Sequence, residues 1–130
     1  MHETCLYEYA IIRLVPKVER EEFINLGVII FCPRLDFLKC KYQLDIRRIT
    51  EFAALAELSD LQAHLRAFEL ICLGDHAGGP IAALDMPSRF RWLTAIRSTI
   101  IQSSRVHPGY LTDPEETLKR LFSSLVLVTL

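Results

Sequence analysis

Four arginines, Arg89, Arg91, Arg97 and Arg105, fall between Pro87 and Gly109, a segment that contains no aspartate or glutamate. A guanidinium offers a planar fork of N–H donors matched to phosphate or carboxylate oxygens, so such a run could form an anion-binding face. Ser98, Thr99, Ser103 and Ser104 add hydroxyl donors, and Phe90, Trp92 and His107 supply rings on which a base could stack. Arg97-Ser98-Thr99 falls where a short helical pattern gives way to a strand pattern, a junction whose backbone amides can cup an anion beside a fixed guanidinium. The plainer alternative is that the arginines pair with acids elsewhere, Trp92 is a core residue, and the hydroxyls satisfy a turn. His107, before Pro108-Gly109, could serve as a general base if it faces Arg97 or Ser98; otherwise it is a turn histidine.

A second polar cluster is Glu19-Arg20-Glu21-Glu22, followed by Asn25 and Gly27. Two carboxylates could perform acid–base chemistry or hold a hard metal ion. Adjacent residues on a helix point about 100° apart, however, so Glu21 and Glu22 do not readily face one site. The cluster therefore reads either as a solvated helix face or as a structural pairing of Arg20 or Glu22 with Arg97. In the second case Asn25 and Gly27 turn the chain into a strand, and Gly27 permits a bulge or a close backbone approach. The loop from Gly74 to Pro80 lacks the G-K-[ST] ending of a nucleotide loop and reads as a connection. Ser98 with His107 and a distant glutamate lacks a nucleophile elbow. Cys5, Cys32, Cys40 and Cys72 form no Cys-x-x-Cys pair, and no two histidines have helical ligand spacing, so the sequence calls for neither metal nor cofactor. The cysteines read as small buried hydrophobes.

The elements that must position these residues follow from periodicity. Leu6 to Val15 is β-branched and aromatic on both alternating faces, the pattern of a central strand. Lys17 to Phe23 suits a short helix. Asn25 to Cys32 and the alternating stretch Leu38 to Leu44 suit a hairpin, with Lys39, Lys41 and Gln43 facing out near a protected edge. Asp45 can cap a short helix through Phe52. Ser59 and Gln62 make a capping box for a longer helix whose stripe is Leu58, Leu61, Leu65, Phe68 and Cys72, with Gly74 as its stop. Ser88 can cap a brief helix holding Phe90, Trp92 and Leu93. Thr99 to Gln102 reads as a fourth strand ended by His107-Pro108-Gly109. Asp113-Pro114-Glu115-Glu116 opens a last helix with stripe Leu118, Leu121, Phe122 and Leu125. The expected fold class is α+β: a two-layer sandwich with a mostly antiparallel sheet of about four strands and helices on one face.

The chain has 130 residues, 51% of them hydrophobic and 24% charged, which suits one domain (residues 1–130) with a core of its own and excludes a disordered tail or a disulfide miniprotein. Fifteen basic and sixteen acidic side chains leave a net charge of −1, which argues against nucleic acid as the main partner. Charges at Glu8 and Arg13 interrupt any leader-like opening, and no apolar run is long enough to span a bilayer, so no membrane role and a cytoplasmic location are expected. The nearly all-apolar end, Leu125 to Leu130, must be buried by this chain or by a neighbour.

The stretch from Tyr9 to Pro16, then Glu19-Arg20-Glu21-Glu22-Phe23-Ile24-Asn25-Leu26-Gly27-Val28, resembles the opening of a bacterial family, domain of unknown function three thousand and thirty-seven (DUF3037). Gly74-Asp75, Gly79-Pro80, Arg89-Phe90-Arg91-Trp92-Leu93, Arg97-Ser98-Thr99, His107 and Asp113-Pro114 extend the resemblance over nearly the whole chain. Tyr110-Leu111 stands where the resemblance leads one to expect a smaller or more polar pair. The resemblance implies a small cytosolic bacterial protein, often encoded beside a kinase-like protein of the high-persistence toxin type, and carries no catalytic residue or cofactor with it.

Together these observations favour an interaction or ligand-binding module that docks on a partner protein. The kinase-like companion is the partner the resemblance implies, and a homodimer through the apolar C-terminal end is the other candidate. The residues expected to contact a ligand are Arg89, Arg97, Ser98, Thr99, His107, Arg20, Glu22 and Asn25. The alternative function is an enzyme acting on a phosphorylated or nucleic-acid substrate, with Arg97 and Arg89 on the phosphate and Glu22 or His107 as acid–base.

Overall fold

Alternation and β-branching put the first part of the chain into three strands: β1 at Cys5–Leu14, β2 at Ile24–Cys32 and β3 at Phe37–Tyr42. The computed structural model describes residues 3–15, 23–45, 47–49, 58–95 and 100–127. The helix expected from Lys17 falls outside these residues apart from Phe23. β2 and β3 form the expected hairpin, in antiparallel register from Gly27↔Tyr42 to Cys32↔Phe37. Its turn is a 3-10 turn at Pro33–Leu35, closed by the Asp36 N–H on the Pro33 carbonyl at 3.2 Å.

The second part holds α1 at Leu58–Leu73, α2 at Met86–Leu93, β4 at Ile101–Ser103, β5 at His107–Leu111 and α3 at Pro114–Leu125. The stop of α1 is as expected. Gly74 sits at φ 71°, its N–H on the Ile71 carbonyl and that of Asp75 on Leu70, the paired bonds that close a helix on a left-handed residue. Asp113 caps α3 through the N–H groups of Glu115 and Glu116, with Pro114 in the first turn. The start of α2 corrects the expectation of a Ser88 cap: Asp85 accepts from the Ser88 N–H at 2.9 Å, the same aspartate-then-proline logic one residue looser. Ser59 likewise lies inside α1, not ahead of it.

β1 is the centre of the sheet. β2 runs along one edge, while β4 pairs with Ile12–Leu14 and β5 with Cys5–Tyr9 on the other, all antiparallel. His107-Pro108-Gly109 is therefore the start of a fifth strand, not a turn. Proline is tolerated there because β5 pairs on one side alone among the described residues, and the Tyr7 ring closes over Gly109, where a Cβ would lie 2.6 Å from a ring carbon. Ser104 bridges the gap between β4 and β5. Its N–H donates to the Ile11 carbonyl at 2.8 Å, and its buried Oγ accepts from the Ile11 N–H at 2.8 Å while donating to the Arg105 carbonyl.

The α+β class and the antiparallel sheet stand; the layering is richer than one helical face. Ala10, Ile29, Phe31 and Leu38 pack under Ile71, Cys72, Phe90 and Leu93 of α1 and α2, and Ile12, Leu14 and Leu26 meet Ile49, Leu61 and Leu65 on the same side. On the opposite side Tyr7, Val28, Ile30, Cys32 and Phe37 meet Leu118, Leu121 and Phe122 of α3. The reason is legible afterwards in β2, where both alternating sets are apolar and neither can face water. Lys39 and Lys41 stay exposed as expected, yet reach α3: Lys39 pairs with Glu115, and Lys41 lies 5.0 Å from the Phe122 ring centre. Cys5, Cys32 and Cys72 are buried and Cys40 half-buried. No helix among the described residues is long and apolar enough to cross a membrane.

β2 carries a bulge. Ile12 pairs with Gly27 and Arg13 with Asn25, leaving Leu26 as the extra residue. Gly27 also permits the close approach of β3, since a Cβ there would lie 2.5 Å from the Lys41 carbonyl oxygen. Two substitutions test this frame by thermal or denaturant unfolding. Ser104→Ala strips the buried Ile11 amide of its acceptor and should cost about 1–3 kcal/mol; an unchanged midpoint would mean that Ile11 has another partner. Gly27→Ala should destabilise at least as much, because backbone, not a flexible side chain, must give way.

Candidate functional site

α2 carries two of the arginines, and both are occupied. Arg89 lies over Gly74, whose Cβ position is 3.1 Å from the guanidinium carbon, and its Nη1 donates to the Leu84 carbonyl at 2.7 Å. Gly74 thus ends α1 and seats this side chain. Arg91 reaches β1 and holds Glu8 through two bonds, Nη1 to Oε2 at 3.1 Å and Nη2 to Oε1 at 3.0 Å. The carboxylate missing from the arginine segment comes from 83 residues upstream. Arg105 is exposed beyond the end of β4. Arg97, Ser98 and Thr99, like Arg20 and Glu22, lie outside the described residues.

The rings divide similarly. Phe90 is a core residue at 0% exposure, tilted against Phe31 at 5.1 Å, and Trp92 packs half-buried against the same cluster, so neither is a stacking platform. His107 stacks on Tyr9 at 5.2 Å, and Tyr9 in turn on Tyr7 at 5.9 Å, on the α3 side of the sheet. Arg89 belongs to the opposite layer. The sheet therefore separates Arg89 from His107. Asn25 shares the α3 side with His107, but their β1 partners Arg13 and Tyr9 are four residue steps apart, roughly 13 Å.

Asn25 has a structural task that explains its position. Its Nδ2 donates to the Leu125 carbonyl at 3.0 Å, and Arg48 Nη1 donates to the Val126 carbonyl at 3.4 Å. Both donors serve the end of α3, where the last carbonyls lack helical partners. Asn25 Oδ1 is buried and has no hydrogen-bond partner among the described residues. Asp45 begins the short helical turn at residues 47–49, accepting from the Arg47 N–H at 3.1 Å, as expected of a cap. Asn25, Asp45 and Arg48 line a cavity of about 150 Å³ together with Leu26, Ile49 and Val126. Sequence reasoning singled out Asn25 and the Asp45 cap and missed Arg48; its partner is the far end of the chain, which no local spacing announces.

A second recess, a shallow open cleft of about 460 Å³, lies at the start of α3 among Thr4, Tyr110, Asp113, Glu116 and Arg120. The Arg120 guanidinium lies near the Tyr7 hydroxyl. Burial pushes the Tyr7 phenol above its ordinary range, and the Arg120 charge offsets part of that rise. Burial also lowers Arg13, whose guanidinium lies 4.1 Å from the Phe23 ring centre. The Cys72 thiol is held well above the usual range by its hydrogen bond with Cys40 and by burial, which leaves it a packing group, not a nucleophile. Among the described residues no three His, Cys, Asp or Glu side chains gather as a ligand set.

A family model described as "Protein of unknown function (DUF3037)" matches residues 9–126, and the chain belongs to that family. No curated protein and no solved structure matches it.

The contacts above set unequal costs. Arg91→Ala should cost less than about 1 kcal/mol, because the Arg91 and Glu8 side chains are 59% and 27% exposed and water screens their attraction. Asn25→Ala should cost more, about 1–2 kcal/mol, for an uncapped helix end. Equal unfolding midpoints for the two variants would contradict this assignment. A buried phenol with a raised pKa stabilises the fold below its unfolded value of 10.0 and loses that contribution as pH climbs through the folded value. Alkaline unfolding should accordingly be shallower in Tyr7→Phe than in the parent protein, as followed by circular dichroism above pH 10.

Proposed function

We propose that this member of the DUF3037 family is an interaction module that docks on a partner protein through the end of its sheet. The observation that carries the reading is Leu6 facing Tyr110 across β1 and β5, the two side chains 54% and 73% exposed. Cross-strand neighbours of this size make a contiguous apolar surface, and tyrosine is among the side chains that anchor interfaces. Pro108, also exposed, adjoins them, and Leu35 on the turn beside β1 is exposed as well. Tyr110 also belongs, with Leu111, to the pair at which this chain departs from the pattern its resemblance leads one to expect. Pro108 lacks an N–H and interrupts the outer edge of β5, so the contact is made by side chains and not by an added strand.

The anion-binding part of the reading narrows to guanidiniums not spent internally. Arg91 is neutralised by Glu8 and Arg89 bonds a carbonyl, which leaves Arg105, among the described arginines of that segment, to meet acidic groups of the partner. The companion we expect is the kinase-like protein that the resemblance implies, and a bacterial cytosol is where the pair would meet.

Retrieval of the tagged protein from its own cells, run beside Leu6→Asp and Tyr110→Ser, tests the reading. The parent should retain the kinase-like companion in stoichiometric amount, and each variant, folded by circular dichroism, should retain at least about tenfold less, the usual loss at an interface anchor. Equal retention by all three, or none by the parent, overturns it. Concentration-dependent mass that persists in both variants would place a second copy of this chain at the apolar C-terminal end instead.

A further inference from the structure

The cavity between β2, the end of β3 and the last turn of α3 has a division of labour that the docking surface lacks. Leu26, Ile49 and Val126 are buried and form an apolar floor, whereas Gln43 and Asp45 are exposed and Arg48 half-exposed at the rim. Its volume, about 150 Å³, matches that of an engineered apolar cavity known to hold benzene. That is room for a branched aliphatic group, with charged ends left at the mouth.

The rim carries both signs of charge without cancelling them. Asp45 and Arg48 stand three residues apart at the start of a helical turn, a spacing at which acid and base commonly pair. They do not pair here. One oxygen of Asp45 is turned to the Arg47 and Arg48 backbone amides, and Arg48 spends one of its N–H donors on the Val126 carbonyl. The second Asp45 oxygen has no bonded partner among the described residues, and a guanidinium has five N–H donors, so both groups keep capacity. An anion alone would leave Asp45 repelling it, and a cation alone would meet Arg48. A small molecule carrying both charges beside an aliphatic branch satisfies floor and rim together.

We propose that this cavity is a binding site for a free α-amino acid with a branched aliphatic side chain. Arg48 holds its carboxylate, Asp45 its ammonium group, and Leu26, Ile49 and Val126 enclose the side chain. The site adjoins the two donors that finish α3, so occupancy should also tighten that helix end.

Calorimetric titration and thermal shift with L-leucine and L-valine test the proposal, beside 4-methylpentanoate, isoamylamine and glycine. These analogues lack the ammonium, the carboxylate and the aliphatic branch respectively. Saturable binding of leucine or valine is expected, at least about tenfold tighter than any analogue, since each analogue leaves a charged or apolar partner unanswered. Asp45→Asn keeps a side chain equally able to cap the turn while removing its charge. Asp45→Asn and Arg48→Gln should each weaken binding about tenfold or more with the fold intact. No saturable binding of either amino acid overturns the proposal, as does equal affinity for the analogues or for both variants.

Discussion

β1 must be satisfied on four sides at once, and the remaining architecture answers that demand. Its two faces are apolar, so each needs a layer; its two edges carry unpaired backbone groups, so each needs a strand. β2 supplies one edge from Glu8 to Leu14, interrupted by the bulge at Leu26. On the other, β4 and β5 are each too short to cover ten residues, and the buried hydroxyl and amide of Ser104 take over at Ile11, where the two strands part. A serine side chain standing in for a strand's backbone is what lets one edge be shared. α1 and α2 then close one face and α3 the other.

The closing of the second face creates the polar features near the chain's end. Where α3 stops over the start of β2, its final carbonyls need donors, and Asn25 and Arg48 provide them from opposite directions. The bulge at Leu26 turns that side chain to the α1 layer while Asn25 stays on the α3 side beside Arg13. The recess between these groups is thus a product of three segments meeting imperfectly. Its apolar floor and charged rim follow from the core and from a helix cap.

Several charges in this chain are answered by groups that the arginine segment itself does not contain. Arginines that look unopposed along the chain meet a carboxylate across the sheet layer, as Arg91 does with Glu8, or turn back to a carbonyl, as Arg89 does over Gly74. What remains conspicuous is apolar: Leu6 and Tyr110, left uncovered because α1 and α2 pack farther along the strands, against Ala10, Phe31 and Leu38.

Local chemistry alone determined much of this protein. Strand alternation placed the β2–β3 hairpin, Gly27 marked a close backbone approach or a bulge, and Gly74 and Asp113-Pro114 marked where helices stop and start, because residue type and local spacing carry each of these signals. The same locality explains the errors. Pro108-Gly109 carries turn chemistry and became an edge strand because β1 had hydrogen bonds to offer. Ser88 had a capping side chain, but Asp85 reached the free amides first. Tertiary structure alone decided that both faces of the sheet are covered, that Glu8 neutralises Arg91, and that Asn25 and Arg48 meet the end of α3. Those outcomes depend on which distant surfaces come within a few ångströms of one another, and no spacing along the chain encodes that distance directly.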